Sequence, residues 1–227
     1  MSLTNIIKRA PVVIIGIPAL IGITLYTHDI FMVFFTIAGL LILNEVYRMS
    51  RPNGTEPNVW VGYLVYLSLV GDQLLGEGNN LGAVLIVSIL ILLTWEMFRK
   101  KPHVMENVAS SFFAATFVAL AMSYFISLQQ LGFNGQGGHL GGYAVLTVFI
   151  GVWTCDTMAY FIGSAIGKHK IFPRVSPNKS WEGSISGLIG SLIALVLIVR
   201  ADWLPGLDYT DALILGLITG VAGQLGD

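Results

Sequence analysis

The sequence predicts an all-α polytopic membrane protein, a bundle of about eight transmembrane helices. Three observations carry that expectation. First, only 11% of the 227 residues are charged, 55% are hydrophobic and the mean hydropathy is +0.76, whereas soluble domains carry roughly 25% charged residues. Second, apolar runs recur at close to the ~20 residues that cross a bilayer. Third, eleven of the twelve Lys and Arg fall on one side of those runs.

In chain order the runs cover residues 10–27, 30–48, 58–75, 81–98, 108–128, 143–163, 183–199 and 210–226. The polar triplet Thr27, His28, Asp29 separates the first two. Alternating patterning is absent, and lipid offers no partners for bare backbone groups, so each run is read as a helix. Lys8 and Arg9 precede the first run. That run outlasts a secretory h-region and lacks a small-residue cleavage site, so it reads as a retained span. Lys8 and Arg9, Arg48 and Arg51, Arg99 to Lys101, and the group Lys168, Lys170, Arg174 and Lys179 share one face, with only Arg200 opposite. The positive-inside rule makes that face cytoplasmic and places both termini there.

Net charge of −1 excludes a nucleic-acid binder. A single cysteine, Cys155, excludes a disulfide framework. The non-basic loops "GEGNNLG" and "GFNGQGGHLGG" read as flexible connectors, with His139 facing solvent. Glycine pairs four apart, Gly163/Gly167, Gly183/Gly187 and Gly216/Gly220, predict close packing of the last three spans. The chain divides into residues 1–135, N-terminal spans, and 136–227, a catalytic-type membrane region.

The chemistry concentrates in that second part. Asp156 lies within the sixth span, where a carboxylate is costly and turns to the bundle interior or a water-filled cavity. A structural hydrogen bond to a neighbouring helix is the bland alternative. Trp153, Asp156 and Tyr160 share one helical face. The next connector holds "SPNKSWEG", residues 176–183. Its basic side chains, together with the N–H groups opening the seventh span at Glu182, describe an anion site suited to phosphate. A plain turn with Ser180 as helix cap is the competing reading. The last span ends in "GQLGD", placing Gln224 and Asp227 at the same exit. A carboxylate there suits a hard divalent ion, since Mg²⁺ binds one or two carboxylates plus substrate phosphates.

Together, "DTMAYFIG", "SPNKSWEG" and "GQLGD", in this order, resemble the phosphatidate cytidylyltransferase family, the CDP-diacylglycerol synthases. The family pattern is close to D-x-x-A-Y-x-x-G, S-P-K-K-[ST]-W-E-G and G-Q-x-G-D, with Asn178 standing where Lys is common. The resemblance implies transfer of a cytidylyl group from CTP to phosphatidic acid, with release of pyrophosphate. It implies Mg²⁺, with room for a second cation, and Asp227 as the metal-binding carboxylate. The implied catalytic set is Asp227, Lys179 and Asp156. The implied substrate pocket holds Ser176, Pro177, Lys179, Ser180, Glu182, Tyr160 and Gln224, with Lys179 on a phosphate. It further implies a bacterial inner-membrane enzyme whose site faces the cytoplasm, and allows a homodimer. The family signature beyond G-Q-x-G-D is not in these residues, so this chain alone is expected to be inactive. Two other readings stand beside this one. A related CTP-dependent membrane lipid kinase would make a monophosphate. A non-enzymatic transporter or membrane subunit would use Asp156 as an ion relay, but matching inverted halves are not visible.

Overall fold

The computed structural model describes residues 3–51, 54–75, 78–131, 139–173 and 176–226. Among the described residues the eight expected spans each correspond to one helix: α1 Leu3–Tyr26, α2 His28–Ser50, α3 Val59–Leu75, α4 Leu81–Arg99, α5 Val104–Gln130, α6 Leu140–Ile166, α7 Trp181–Arg200 and α8 Tyr209–Gly226. Of these, α2, α4, α5, α6 and α7 are long and apolar enough to cross a membrane, and α3 is a shorter apolar helix. Large apolar side chains such as Trp60, Ile86, Leu90, Phe98 and Phe117 lie exposed on the helix surfaces. Water would not tolerate so much apolar surface, and lipid covers it.

One element departs from the all-helical expectation. The connector after α6 folds into an antiparallel hairpin, β1 Lys170–Phe172 and β2 Ser176–Ser180, with Lys170 paired to Ser180 and Phe172 to Ser176. The hairpin satisfies part of the connector's backbone internally. Its base is closed where Trp181 N–H donates to His169 O at 2.9 Å.

The helices form two compact units. One is Thr27–Gln130, α2 to α5. Its core gathers Leu43 and Tyr47 of α2, Val61, Val65, Tyr66 and Leu69 of α3, Leu92 of α4, and Ala115, Val118 and Ala119 of α5. Buried tyrosines need hydrogen-bond partners. Tyr47 Oη donates to Ser111 O at 2.9 Å and Tyr66 Oη to Thr36 O at 3.1 Å. A polar cluster closes one end of this unit. Glu96 is 2% exposed. It accepts from Arg99 at 2.7 Å and from Asn107 Nδ2 at 2.8 Å. Asn107 Oδ1 and Ser111 Oγ in turn accept the Glu56 and Asn58 N–H groups, both at 2.7 Å. The α2–α3 connector is thereby sewn onto α5. At the other end His28 bonds Gln129 and Gln130, so the start and end of the unit meet.

The second unit is Met1–Tyr26 with Leu131–Asp227. The sequence division groups α1 with the N-terminal spans, but α1 packs against α6. Gly142 opens this contact, because a Cβ there would come within 2.7 Å of Thr24 O. His139 is exposed, as expected of its loop, yet it is not a bystander. Its Nδ1 bonds Leu25 O and its ring meets Tyr26 edge-on at 5.6 Å. The paired glycines seat α6, α7 and α8 against one another. A Cβ on Gly183 would lie 2.8 Å from Ala159 O and 3.0 Å from Gly163 Cα. Gly216 and Gly220 likewise admit Leu192 and Leu188 of α7. Ser191 and Thr219, both buried, share a 2.8 Å hydrogen bond between α7 and α8.

Candidate active site

The second half of α6 carries Asp156, Ala159, Tyr160, Gly163 and Ser164 on one face, the spacing that aligns residues along a helix. That face borders a cleft of about 570 Å³, within the usual range for small-molecule sites. The hairpin supplies Lys170, Asn178, Lys179 and Ser180, the start of α7 supplies Gly183 and Ser184, and α8 supplies Gln224. Trp153 lies on the same stripe but outside the lining, stacked on Phe149 at 5.2 Å.

Ser180 ends the hairpin and caps α7. Its backbone is extended and its Oγ accepts the Gly183 N–H at 3.3 Å. The cap satisfies one of the orphan donors at the helix start and fixes where the others point. Lys179, one residue earlier, is partly buried and reaches α8, where its ammonium donates to Gln224 O at 2.8 Å. Carbonyls in a last turn lack helical partners, and a cation suits them. Lys170 donates to Asn178 O at 3.3 Å across the hairpin. Among the described residues the cleft joins two ammonium groups, a helix N-terminus and the carboxylate of Asp156, a distribution that attracts anions.

The structure brings together Asp156, Tyr160, Lys179, Ser180 and Gln224. Ser176 and Pro177 stand on β2 outside the lining, and Glu182 turns away from it. The Glu182 carboxylate holds His169, with Nδ1 to Oε1 at 2.6 Å and the His169 N–H at 3.3 Å from both oxygens. Asp227 lies outside the described residues. Among those described, no group of three His, Cys, Asp or Glu could enclose a metal. Among the described lining residues Asp156 is the carboxylate, and ions of the Mg²⁺ type bind one or two carboxylates together with substrate phosphates. Lys170, Ser164 and Ser184 are lining residues that no sequence motif singles out, and Asn178 lines the cleft from within the SPNKSWEG motif. In sequence Lys170 reads as one more positive-inside charge, and only its pairing opposite Ser180 brings it to the cleft.

Fold and site together define an integral membrane protein with a polar, anion-attracting cleft at one end of a helical bundle. The chain belongs to the cytidylyltransferase family, whose sequence model matches residues 7–227. It is similar to the phosphatidate cytidylyltransferase of Bacillus subtilis, 27% identical over 83% of this chain and 69% of the relative. Proteins of the same name from Staphylococcus haemolyticus and Staphylococcus saprophyticus are 28% and 29% identical. The matches cover 96% and 94% of this chain and 81% and 78% of those relatives.

Proposed function

We propose that the protein is a phosphatidate cytidylyltransferase, joining CTP to phosphatidic acid to give CDP-diacylglycerol and pyrophosphate. The observation that carries this reading is the cleft itself, where Lys179, Ser180 and the start of α7 face Asp156. In the reaction a phosphate oxygen of the lipid attacks the α-phosphorus of CTP. A new P–O bond forms, the bond to the β-phosphate breaks, and the electron pair leaves with pyrophosphate. Little covalent chemistry falls to the protein, so positioning and charge stabilisation dominate.

Lys179 offsets the charge that builds on the departing phosphates. The Ser180 hydroxyl, whose oxygen already accepts from Gly183 N–H, keeps its hydrogen to donate to a phosphate oxygen. The positive end of the α7 dipole adds to the same field. Tyr160, exposed on the α6 wall, lies beside the path of the lipid. A bound divalent cation supplies Lewis-acid stabilisation of the phosphoryl oxygens. Asp156 and Asp227 are the carboxylates proposed to hold it. The proposal includes Mg²⁺ as that cation, a cytoplasm-facing site in a bacterial inner membrane, and two copies of the chain per particle.

Two measurements test it. Purified chain in detergent is expected to bind α-³²P-CTP saturably in the presence of Mg²⁺, and Lys179→Ala to lose most of that affinity. Equal binding by Lys179→Ala would remove Lys179 from the phosphate site. In transfer reactions run on a form extended through the family signature, label from the α position of CTP is expected to enter lipid. Entry of γ label would identify a lipid kinase instead.

A further inference from the structure

Gln224 sits where three helices and the hairpin meet, and its hydrogen bonds point into the scaffold. Its Nε2 donates to Ser184 O of α7 at 2.7 Å and to Cys155 Sγ of α6 at 3.4 Å. A primary amide has two N–H donors, and these two contacts use both. Gly187 makes the arrangement possible, since a Cβ there would stand 3.0 Å from that nitrogen and 2.8 Å from Cys155 O. The main-chain carbonyl of the same residue receives the Lys179 ammonium at 2.8 Å. One residue therefore fixes the end of α8 against α6 and α7, and holds out the carbonyl on which the cleft's partly buried cation rests. Cys155, one of its anchors, directly precedes Asp156.

We infer that Gln224 is a positioning residue, which locks the last turn of α8 and so sets the place of Lys179 in the cleft, without binding substrate through its amide N–H groups. The inference rests on the reading of Lys179 as a phosphate ligand. Its physical content is indirect coupling. Removing the amide frees the α8 carbonyl to shift, and the lysine that leans on it shifts too. Such coupling appears as non-additivity between the two sites, whereas a separate substrate contact or a general loss of packing adds independently.

The test is a double-mutant cycle in CTP affinity, using the full chain in detergent with Mg²⁺ and α-³²P-CTP. Gln224→Leu is expected to weaken binding about 5- to 10-fold, the scale of one or two lost hydrogen bonds. The double variant Lys179→Ala/Gln224→Leu is expected to bind within about twofold of Lys179→Ala alone, because nothing is left to misplace. Fully additive losses would overturn the positioning role. Wild-type affinity in Lys179→Ala would overturn the reading of Lys179 instead, a separate result. Gln224→Met, nearly isosteric and equally without donors, repeats the cycle where the leucine variant does not fold. A second readout follows the lock directly. Cys155 is the sole cysteine and is buried. Its alkylation by N-ethylmaleimide should quicken in both Gln224 variants, and unchanged rates in both would sink the proposal.

Discussion

Replacing Gly183 by Ala tests the α6–α7 contact at a point where backbone meets backbone. The added methyl would stand 2.8 Å from Ala159 O, 3.0 Å from Gly163 Cα and 3.2 Å from Ser180 Oγ. Ordinary contact begins at 3.4 Å, so the α6 backbone must retreat from 2.8 to 3.4 Å, about 0.6 Å, or the hairpin end must move. Two of the three neighbours are main-chain atoms and cannot rotate away. Overpacking of this kind costs about 1–3 kcal/mol, which at this chain length lowers the unfolding midpoint by about 2–4 °C per kcal/mol. Gly71 is the control. It lies inside α3, and a Cβ at that position would have nothing within 4 Å. Gly71→Ala should raise stability by up to about 1 kcal/mol through backbone propensity alone. The assay is thermal unfolding in one detergent, with CTP binding measured in parallel. Gly183→Ala should lose both stability and affinity, because Ser180 and the start of α7 border the cleft. A Gly183→Ala protein as stable as wild type would refute the argument, as would a destabilised Gly71→Ala.

Further expectations concern the polar contacts. Glu96→Ala, which leaves Arg99 and Asn107 without their buried acceptor, should cost about 3 kcal/mol in chemical unfolding. Ser111→Ala strips the Asn58 N–H of its acceptor and should cost about 1–3 kcal/mol; an unchanged midpoint in either variant would contradict the cluster's role. The hydrogen bond from Lys101 holds the Glu56 carboxyl below its ordinary value. A lowered folded-state pKa stabilises above the unfolded value of about 4.3 and is lost as pH falls through the folded one. The midpoint gap between wild type and Glu56→Gln should therefore be present at neutral pH, shrink with added salt, and close in acid. Glu182→Gln should speed amide exchange across residues 170–180 while leaving global stability nearly unchanged, and equal exchange would detach Glu182 from the hairpin.

The helices are legible in the sequence because lipid leaves the backbone few alternatives, so apolar length alone predicts them. Close contacts among α6, α7 and α8 are legible too, through glycines four apart on those helices. The partner of α1 is not, because a uniformly apolar helix carries no mark of what it packs against. The hairpin escapes a sequence reading for a different reason. Its strands have three and five residues, and "SPNKS" has no strand-forming pattern; register comes from closure at His169 and Trp181. In the site, Asp156, Tyr160, Lys179, Ser180 and Gln224 converge because each lies near the same end of its element. Sequence can place Glu182 at a helix start but cannot show that His169, thirteen residues earlier, occupies it. Nor can it show Lys179 resting on a carbonyl 45 residues away.

The partnership of α1 with α6 also sets an order of assembly. Roughly a hundred residues, the whole of α2 to α5, leave the ribosome between the two. At about 5–20 residues per second, α1 waits about 5–20 seconds for the helix it belongs beside. During that interval the inserted four-helix unit can close on its own, its ends drawn together by His28 with Gln129 and Gln130. The cleft-bearing half is thus the last to be completed, because its first helix has no α6 to pack against until the nascent chain returns to it.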